Sequence, residues 1–232
     1  SVPDGSSVAT GNVITNDTDP DNDVLTVSAV NGLAGNIGTN IAGTNGGTFV
    51  VNTNGSYTFT PGAAFDDLAV GQTRTTSVDY TVSDNQGGIS TATVIVTVTG
   101  ANDGPTTVGT ITGQSNVDSA VVSLNVSGFF ADADTTDVLS FSATGLPTGL
   151  SINASTGVIS GTINSSASAS GPFSVVVTAH DGNGGTVNQS FTWIVTNPAP
   201  IANNDGFAIG EDAAATVVGN ALTNDSDPDG DP

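Results

Sequence analysis

The chain has 232 residues, among them 21 Asp and one Glu against one Arg and no Lys, and its formal net charge is −21. A basic face cannot be built from one arginine, which argues against nucleic acid and anionic membranes as direct electrostatic partners. The sequence also lacks cysteine for a disulfide framework, and no apolar run approaches the roughly 20 residues of a membrane helix, so no membrane insertion is expected.

Strands are predicted throughout the first half of the chain. Val, Ile, Thr and Ser are abundant there, apolar residues alternate with polar ones, and no segment has the period of a long helix. A turn at 52–55, with Asn and Gly for positive φ, is expected to close a hairpin. The predicted strands cover residues 24–30, 48–51, 56–60, 74–82 and 89–99.

The second half repeats this pattern and supports an all-β fold. Its predicted strands cover residues 106–112, 120–126, 138–144, 157–163, 172–179 and 186–195. Many short strands with frequent turns predict tandem antiparallel β-sandwiches of the immunoglobulin type, joined end to end. Clusters of Pro with Asn or Asp divide the chain into domains at 1–103 and 104–198, with the start of another repeat at 199–232.

Two internal repeats support this division. Residues 11–23 and 219–231 agree at nine of thirteen positions, at an offset of 208 residues. Residues 78–88 align with 175–185 at an offset of 97, and the apolar alternation continues into the following strand. A unit of about 208 residues is therefore predicted to begin again near the end of the chain, with both halves of the unit ending in the same hairpin.

Eleven of the 21 aspartates lie in three short clusters, at 16–23, 131–137 and 224–231. Calcium binds about six to eight oxygen atoms, and alternate aspartates in a tight loop can supply them. The sequence at 19–23, Asp-Pro-Asp-Asn-Asp, lacks the Gly, the Glu and the flanking helices of an EF-hand. A solvated surface turn is the simpler alternative for any one cluster, but three clusters in a chain without lysine favour Ca²⁺ as the structural cofactor.

At this point the sequence resembles the cadherin-like tandem repeats of giant bacterial repeats-in-toxin adhesins. NDTDPDND, GGTFVVNTNGSYTFTP and VDYTVSDNQGG are similar to VCBS or cadherin-like repeats. FFADADTTDVLSFSATGLPTGLSINASTGVISGTI and VVVTAHDGNGGT are similar to the dystroglycan-type cadherin-like domain. The D-R-E motif of cadherins is absent, and the linkers carry fewer carboxylates than the full cadherin form.

The resemblance implies calcium sites at the junctions between domains. One junction is expected to combine the linker residues Asn102 and Asp103 with Asp132, Asp134 and Asp181. At the next junction the resemblance implies Asn203, Asn204, Asp205, Glu211, Asp212, Asp227 and Asp229, and the first domain is expected to present Asp19, Asp21 and Asp84. The clusters themselves add Asp23, Asp137 and Asp231 as candidate ligands.

Together these features predict a calcium-rigidified extender repeat of a large extracellular adhesin at the bacterial cell surface, with neighbouring repeats as its partners. Catalysis is not expected. The sequence shows no nucleophile with an oriented base that would make His180 catalytic. The carboxylates of the adjacent Asp66 and Asp67 would point apart rather than act as a pair, and Trp193 continues the inward face of a strand and is expected in the core. Two alternatives remain. The chain could be a module that binds polysaccharide or a partner in a calcium-dependent way, or a unit of a self-assembling extracellular filament.

Overall fold

The computed structural model describes residues 2–3, 8–209, 211 and 219–230. Within these ranges it is built from strands, and the 3₁₀ turns are three or four residues long. No described helix has the length and apolarity to cross a membrane. The strands are β1 Val2–Pro3, β2 Ala9–Asn12, β3 Thr26–Val30, β4 Ile41–Ala42, β5 Thr48–Val51, β6 Ser56–Thr60, β7 Thr73–Ser83, β8 Ile89–Thr99, β9 Thr106–Thr107, β10 Gln114–Val117, β11 Val121–Asn125, β12 Phe130–Ala131, β13 Ser140–Thr144, β14 Leu150–Ile152, β15 Val158–Thr162, β16 Phe173–His180 and β17 Thr186–Thr196.

The chain folds into two compact units. The first contains Ser1–Pro105 together with the loops Asp132–Val138 and Asp181–Gly185. The second contains Thr106–Ala131, Leu139–His180 and Thr186–Pro232. The loops that carry Asp132 and Asp181 therefore pack with the first unit, although the strands on either side of them belong to the second.

The first unit is a β-sandwich. One sheet has the strand order β1-β8-β7-β3 and the other β2-β6-β5-β4. Apolar side chains from both sheets meet in one core, for example Val27 and Val78 from the first sheet and Phe49 and Phe59 from the second. Burying such side chains stabilises the unit, because each large apolar group contributes about 1.5–3 kcal/mol.

The second unit is also a sandwich. Its sheets have the orders β10-β17-β16-β13 and β11-β15-β14, with β9 and β12 as a separate pair. Trp193 lies in its core with no exposed surface, as the alternation predicted, and its indole Nε1 donates to Asn116 Oδ1 at 3.0 Å. The predicted all-β fold is thus confirmed, and most strand pairs are antiparallel; β1–β8 and β10–β17 are parallel.

The predicted strand at 106–112 is wrong over most of its length. Only Thr106–Thr107 is a strand, and a strand that was not predicted follows at Gln114–Val117. Gly109 has a φ of 70°, which interrupts extended backbone between the two.

The repeated hairpin has the same register in both halves. Val78 pairs with Val94 in the first unit, and Val175 pairs with Phe191 in the second, so each pair is displaced by the same 97 residues. The last pair before the turn, Ser83 with Ile89, corresponds in the same way to His180 with Thr186. The offset found in the sequence is therefore also an offset in strand pairing.

Candidate metal centre

Both hairpins end in a turn that is held by an aspartate carboxylate. Asp84 Oδ1 accepts from the backbone N–H groups of Gln86 at 2.7 Å and Gly88 at 2.9 Å. Asp181 Oδ1 accepts from those of Asn183 and Gly185 at the same two distances. Aspartate suits this turn because its short side chain reaches backbone two and four residues further along.

Three carboxylates converge in the loop after β12. One ligand atom from each of Asp132, Asp134 and Asp137 lies within 4.8 Å of the other two. Asp134 is only 1% exposed, and the other two side chains are half-buried. The backbone N–H of Asp134 donates to Asp132 Oδ1 at 3.0 Å, and that of Asp137 donates to the carbonyl of Asp134 at 3.0 Å. The spacing of the aspartates thus folds the loop back on itself and gathers negative charge at one place.

The linker residues Asn102 and Asp103 join this loop to the hairpin turn. Asn102 Nδ2 donates to Asp181 Oδ2 at 2.9 Å, and the backbone N–H of Asp103 donates to Asp134 Oδ2 at 2.9 Å. Asn183 Nδ2 completes the connection by donating to Asp137 Oδ2 at 2.8 Å. Three segments that are distant in sequence are therefore linked through carboxylates within the first compact unit.

The electrostatics of Asp181 follow from these contacts. The hydrogen bond from Asn102 lowers the pKa of the Asp181 carboxyl, and the backbone N–H groups of its turn lower it further, while burial acts in the opposite direction. Asp181 is only 4% exposed. The donors therefore keep this buried group in its charged form.

The group of residues fits a calcium ion. Asn102 Oδ1 and Asp132 Oδ2 are buried oxygen atoms without a hydrogen-bond partner, and such atoms are costly unless something else satisfies them. The side chains around them offer oxygen ligands, which hard cations prefer over the nitrogen and sulfur ligands of zinc sites. A divalent cation would also compensate the repulsion among the three neighbouring carboxylates.

The cluster at 16–23 is arranged differently. Asp19 Oδ1 accepts from the backbone N–H groups of Asp21 at 2.8 Å and Asp23 at 3.1 Å, so it holds its own turn. Asp21 and Asp23 are exposed. Among the residues that the structure describes, 132–137 is the one place where three carboxylates meet this closely. Asp84 lines the same cleft as Asp19 and Asp21.

The third cluster packs against the linker that precedes it. The backbone N–H of Asn203 donates to Asp225 Oδ1 at 2.8 Å, and its Nδ2 donates to the carbonyl of Asn224 at 2.7 Å. A hydrogen bond from the side chain of Asp229 lowers the pKa of Asp227. Of the other candidates, Asp205 and Glu211 are exposed, and Asp212 and Asp231 lie outside the described residues.

Two further polar residues with long-range contacts were not predicted from the sequence. Asn183 orients Asp137, and the only signal for it was an Asn two positions after the turn aspartate. Asp17 accepts from the Tyr80 hydroxyl at 3.2 and 3.3 Å through its two oxygens, a contact between elements far apart in sequence. Of the residues discounted for catalysis, His180 Nε2 lies 3.1 Å from Ser142 Oγ, and Asp67 forms an ion pair with Arg74 at 2.7 Å.

Family models match both halves of the chain. Residues 1–100 match the model described as "Bacterial cadherin-like domain", and residues 104–196 match the model described as "Putative Ig domain". No curated protein matches the sequence. The first half is therefore similar to one family and the second half to another.

Solved structures of cadherins are similar to the chain in fold. Mouse Cadherin-23 EC22-24 has 15% identity and a TM-score of 0.55, and the match covers 81% of this chain and 60% of that one. Protocadherin gammaB7 EC3-6, a cis-dimer structure, has 14% identity and a TM-score of 0.50, with coverages of 89% and 50%. An endo-fucoidan hydrolase of glycoside hydrolase family 107 is less similar in fold, with 18% identity, a TM-score of 0.33 and coverages of 75% of this chain and 24% of that one. This protein thus consists of cadherin-like and immunoglobulin-like β-sandwich domains.

Proposed function

We propose that the chain is an extender segment of an extracellular bacterial adhesin, in which Ca²⁺ stiffens the connection between successive sandwiches. The observation that carries the proposal is the convergence of Asp132, Asp134 and Asp137 beside the linker residues Asn102 and Asp103. The cadherin-like match over residues 1–100 supports an adhesion-type module outside the cell. No catalysis is part of the proposal.

The residues proposed to hold the ion are those with buried or convergent oxygen atoms. Asp132, Asp134 and Asp137 supply carboxylates, and Asn102 supplies its buried amide oxygen. Asp181 reaches the same group through its bond to Asn102. Bound Ca²⁺ would supply positive charge that joins the linker to the loop. Asp103, the clusters at 16–23 and 224–231, and the exposed Asp205 and Glu211 remain candidates for further ions.

The role of the ion follows from the charge of the chain. With 22 acidic residues and a single arginine, the protein has almost no internal cation with which to balance its carboxylates. Without the ion, repulsion at the linker would favour opening of the contact between linker and loop, and the linker would behave as a flexible tether. With the ion, the same carboxylates would hold the linker in one conformation. Repetition of the unit would then give a stiff arm that carries a binding region away from the cell.

Small-angle scattering with Ca²⁺ and with a chelator tests this proposal. We expect the maximum dimension to become more sharply defined, and the melting temperature to rise, when Ca²⁺ is present. Asp134→Asn should remove most of both effects, because Asp134 is the most buried of the three carboxylates. Asp79→Asn removes the same charge at an exposed position of β7, and its side-chain oxygen can still accept from Thr93 Oγ1, so it should leave both effects intact. Identical scattering curves and melting temperatures in the two buffers would refute the proposal.

A further inference from the structure

One edge of the second sandwich has none of the features that usually protect a β-sheet. In the sheet β11-β15-β14, the edge strand β11 has the sequence Val-Val-Ser-Leu-Asn at 121–125. Exposed strand edges can pair with another chain, and proteins protect them with charged residues, proline, bulges or short strands. β11 has five residues, no charge and no proline, and it pairs with β15 without a shift in register.

The ladder between β11 and β15 determines which backbone groups point away from the sheet. The backbone N–H of Val126 donates to the carbonyl of Gly157 at 3.0 Å, so the ladder has a hydrogen-bonded position there. Such positions alternate along an antiparallel pair, so Val122 and Leu124 also direct their backbone groups towards β15. The residues whose N–H and carbonyl groups point away from β15 are therefore Val121, Ser123 and Asn125.

These outward groups are accessible. Within the described residues, no hydrogen bond from the backbone N–H of Val121, Ser123 or Asn125 is found. All three residues are exposed. Val121 is 82% exposed, more than any other large apolar residue that the structure describes. The outer side of β11 is thus an open row of donors and acceptors.

Other edges of the two sandwiches are shorter, bulged or covered. Strands β2, β4, β10 and β14 have two to four residues each. β3 has a bulge between Val27 and Ala29, and the N–H of Val27 donates to the carbonyl of Thr53. β13 is as long as β11, but its Phe141 N–H donates to the carbonyl of Ala154 at 2.8 Å. β11 therefore differs from the edges with which it can be compared.

The distribution of charge limits what can bind at this edge. Residues 106–131, 139–180 and 186–196 contain one acidic residue, Asp118, and no Lys or Arg, although the net charge of the whole chain is −21. Asp118 is only 2% exposed. Two copies of the chain would repel each other where acidic residues face one another, but that repulsion is smallest at this part of the surface. A charged partner would gain nothing from it.

We propose that β11 pairs with β11 of a second copy of this chain in an antiparallel arrangement. With a two-fold axis at Ser123, this residue lies opposite Ser123 of the second copy, and Val121 lies opposite Asn125 of the second copy. Each outward N–H then meets an outward carbonyl group. The same surface is used on both copies, so the contact closes at a dimer.

This register is the one that satisfies all the outward groups. A shift by one residue would place them opposite groups that already bond to β15. A shift by two residues would leave outward groups without a partner at each end. In the register centred on Ser123, the two Ser123 hydroxyls can form a hydrogen bond across the strands. Val122 and Leu124, which pack on the core of each copy, stay on the same face of the joined sheet.

Sedimentation of the full chain over a range of concentrations, at 150 mM salt, tests the contact. We expect reversible dimerisation in Ca²⁺ and in chelator, because the contact does not depend on the carboxylates at 132–137. Ser123→Pro removes an outward N–H without removing a bond to β15, so it should raise the dissociation constant about tenfold or more. Ser123→Asp should also do so, because it places like charges opposite each other. Ser123→Ala keeps the N–H and should dimerise nearly as the wild type does.

Disulfide trapping tests whether the two copies of Ser123 lie opposite each other. The chain has no cysteine of its own, and opposite residues at a hydrogen-bonded position have Cα atoms about 5.5 Å apart, which a disulfide can span. Ser123→Cys should therefore form covalent dimers under mild oxidation. Ser190→Cys is the matched control, because Ser190 is equally exposed but lies on β17, an interior strand of the other sheet. It should form few dimers.

The outcomes separate the edge from its occupant. A chain that stays monomeric at every concentration would overturn the second copy as the partner of β11. Dimers that Ser123→Pro and Ser123→Asp leave unchanged, with melting temperatures like that of the wild type, would place the contact elsewhere and overturn the role of β11. Equal trapping of Ser123→Cys and Ser190→Cys would overturn the register. A missing response to Ca²⁺ with intact dimerisation would count only against the extender proposal.

Discussion

Replacement of Asp137 by asparagine should change stability in opposite directions with and without Ca²⁺. The substitution is nearly isosteric, and its side-chain oxygen can still accept from Asn183 Nδ2, which donates to Asp137 at 2.8 Å. It removes one of three negative charges whose ligand atoms lie within 4.8 Å of one another. Any change in stability should therefore reflect charge rather than lost packing.

The size of the effect can be bracketed from this distance. Two unit charges 4.8 Å apart repel by about 3.5 kcal/mol at an effective dielectric constant of about 20, and by about 0.9 kcal/mol at that of water. Asp137→Asn removes two of the three pairwise repulsions, which gives roughly 2–7 kcal/mol. Asp137 is half-buried and the solvent screens it, so we expect the lower end, a gain of about 2 kcal/mol in a chelator at low salt.

Urea unfolding at pH 7.5, in chelator and in millimolar Ca²⁺, measures how Asp137→Asn changes the free energy of unfolding in each condition. In Ca²⁺ the wild-type chain should be stabilised by ion binding, and a hundredfold loss of affinity in Asp137→Asn would cost the variant about 2.8 kcal/mol of that gain, which is more than the roughly 2 kcal/mol of relieved repulsion. Asp79→Asn, which removes an exposed charge on β7, should behave like the wild type in both buffers. If Asp137→Asn is less stable than the wild type in chelator, the three carboxylates do not repel one another as the geometry requires, and the reasoning fails.

Three further predictions concern single side chains. Burial, and then the charge of Asp17, raise the pKa of Tyr80. Asp17→Asn should therefore lower the pKa of Tyr80 in an ultraviolet titration, but not to the value of a free tyrosine, because the side chain stays buried. In the wild type the stability linked to this raised pKa is present below the pKa of the unfolded chain and is lost as pH rises through the folded pKa. Trp193→Ala should cost about 3–5 kcal/mol in urea unfolding because the side chain is fully buried, and a smaller loss would contradict its place in the core. The hydrogen bond from Arg74 lowers the pKa of Asp67. The stability lost in Arg74→Gln should therefore be greatest at neutral pH, and it should shrink on acidification below about pH 4 as Asp67 becomes protonated through its depressed folded pKa. A loss of stability that does not change with pH would show that the ion pair is not the cause of that loss.

The long strands and the internal repeats could be predicted from the sequence because their signals are local or periodic. Thr48–Val51, Ser56–Thr60 and Ile89–Thr99 have the predicted bounds. Strands of two or three residues, such as β4 and β14, were not predicted, since alternation over so few positions is not a signal. Their pairing depends on neighbours that the fold supplies.

The candidate site was predictable in part. The spacing of Asp132 and Asp134 indicated a metal loop, and the structure brings these residues together with Asp137. The similar spacing of Asp19, Asp21 and Asp23 did not produce the same convergence: Asp19, like Asp132, accepts from the backbone two residues further along, but Asp21 and Asp23 are exposed. Local sequence cannot distinguish a loop whose carboxylates converge from one whose carboxylates stay exposed. The difference depends on whether a linker distant in sequence donates to the loop, as Asp103 N–H does to Asp134 Oδ2.

The two hairpin turns also differ only in their contacts with segments distant in sequence. Asp84 and Asp181 hold turns with the same hydrogen-bond lengths, so the turn itself does not distinguish them. Asp181 differs because its second oxygen accepts from Asn102, which leaves the amide oxygen of Asn102 buried without a partner. The two turns therefore differ in the linker that reaches them: Asn102, from the Asn-Asp-Gly segment at 102–104, donates to Asp181 and brings this turn beside the candidate metal ligands.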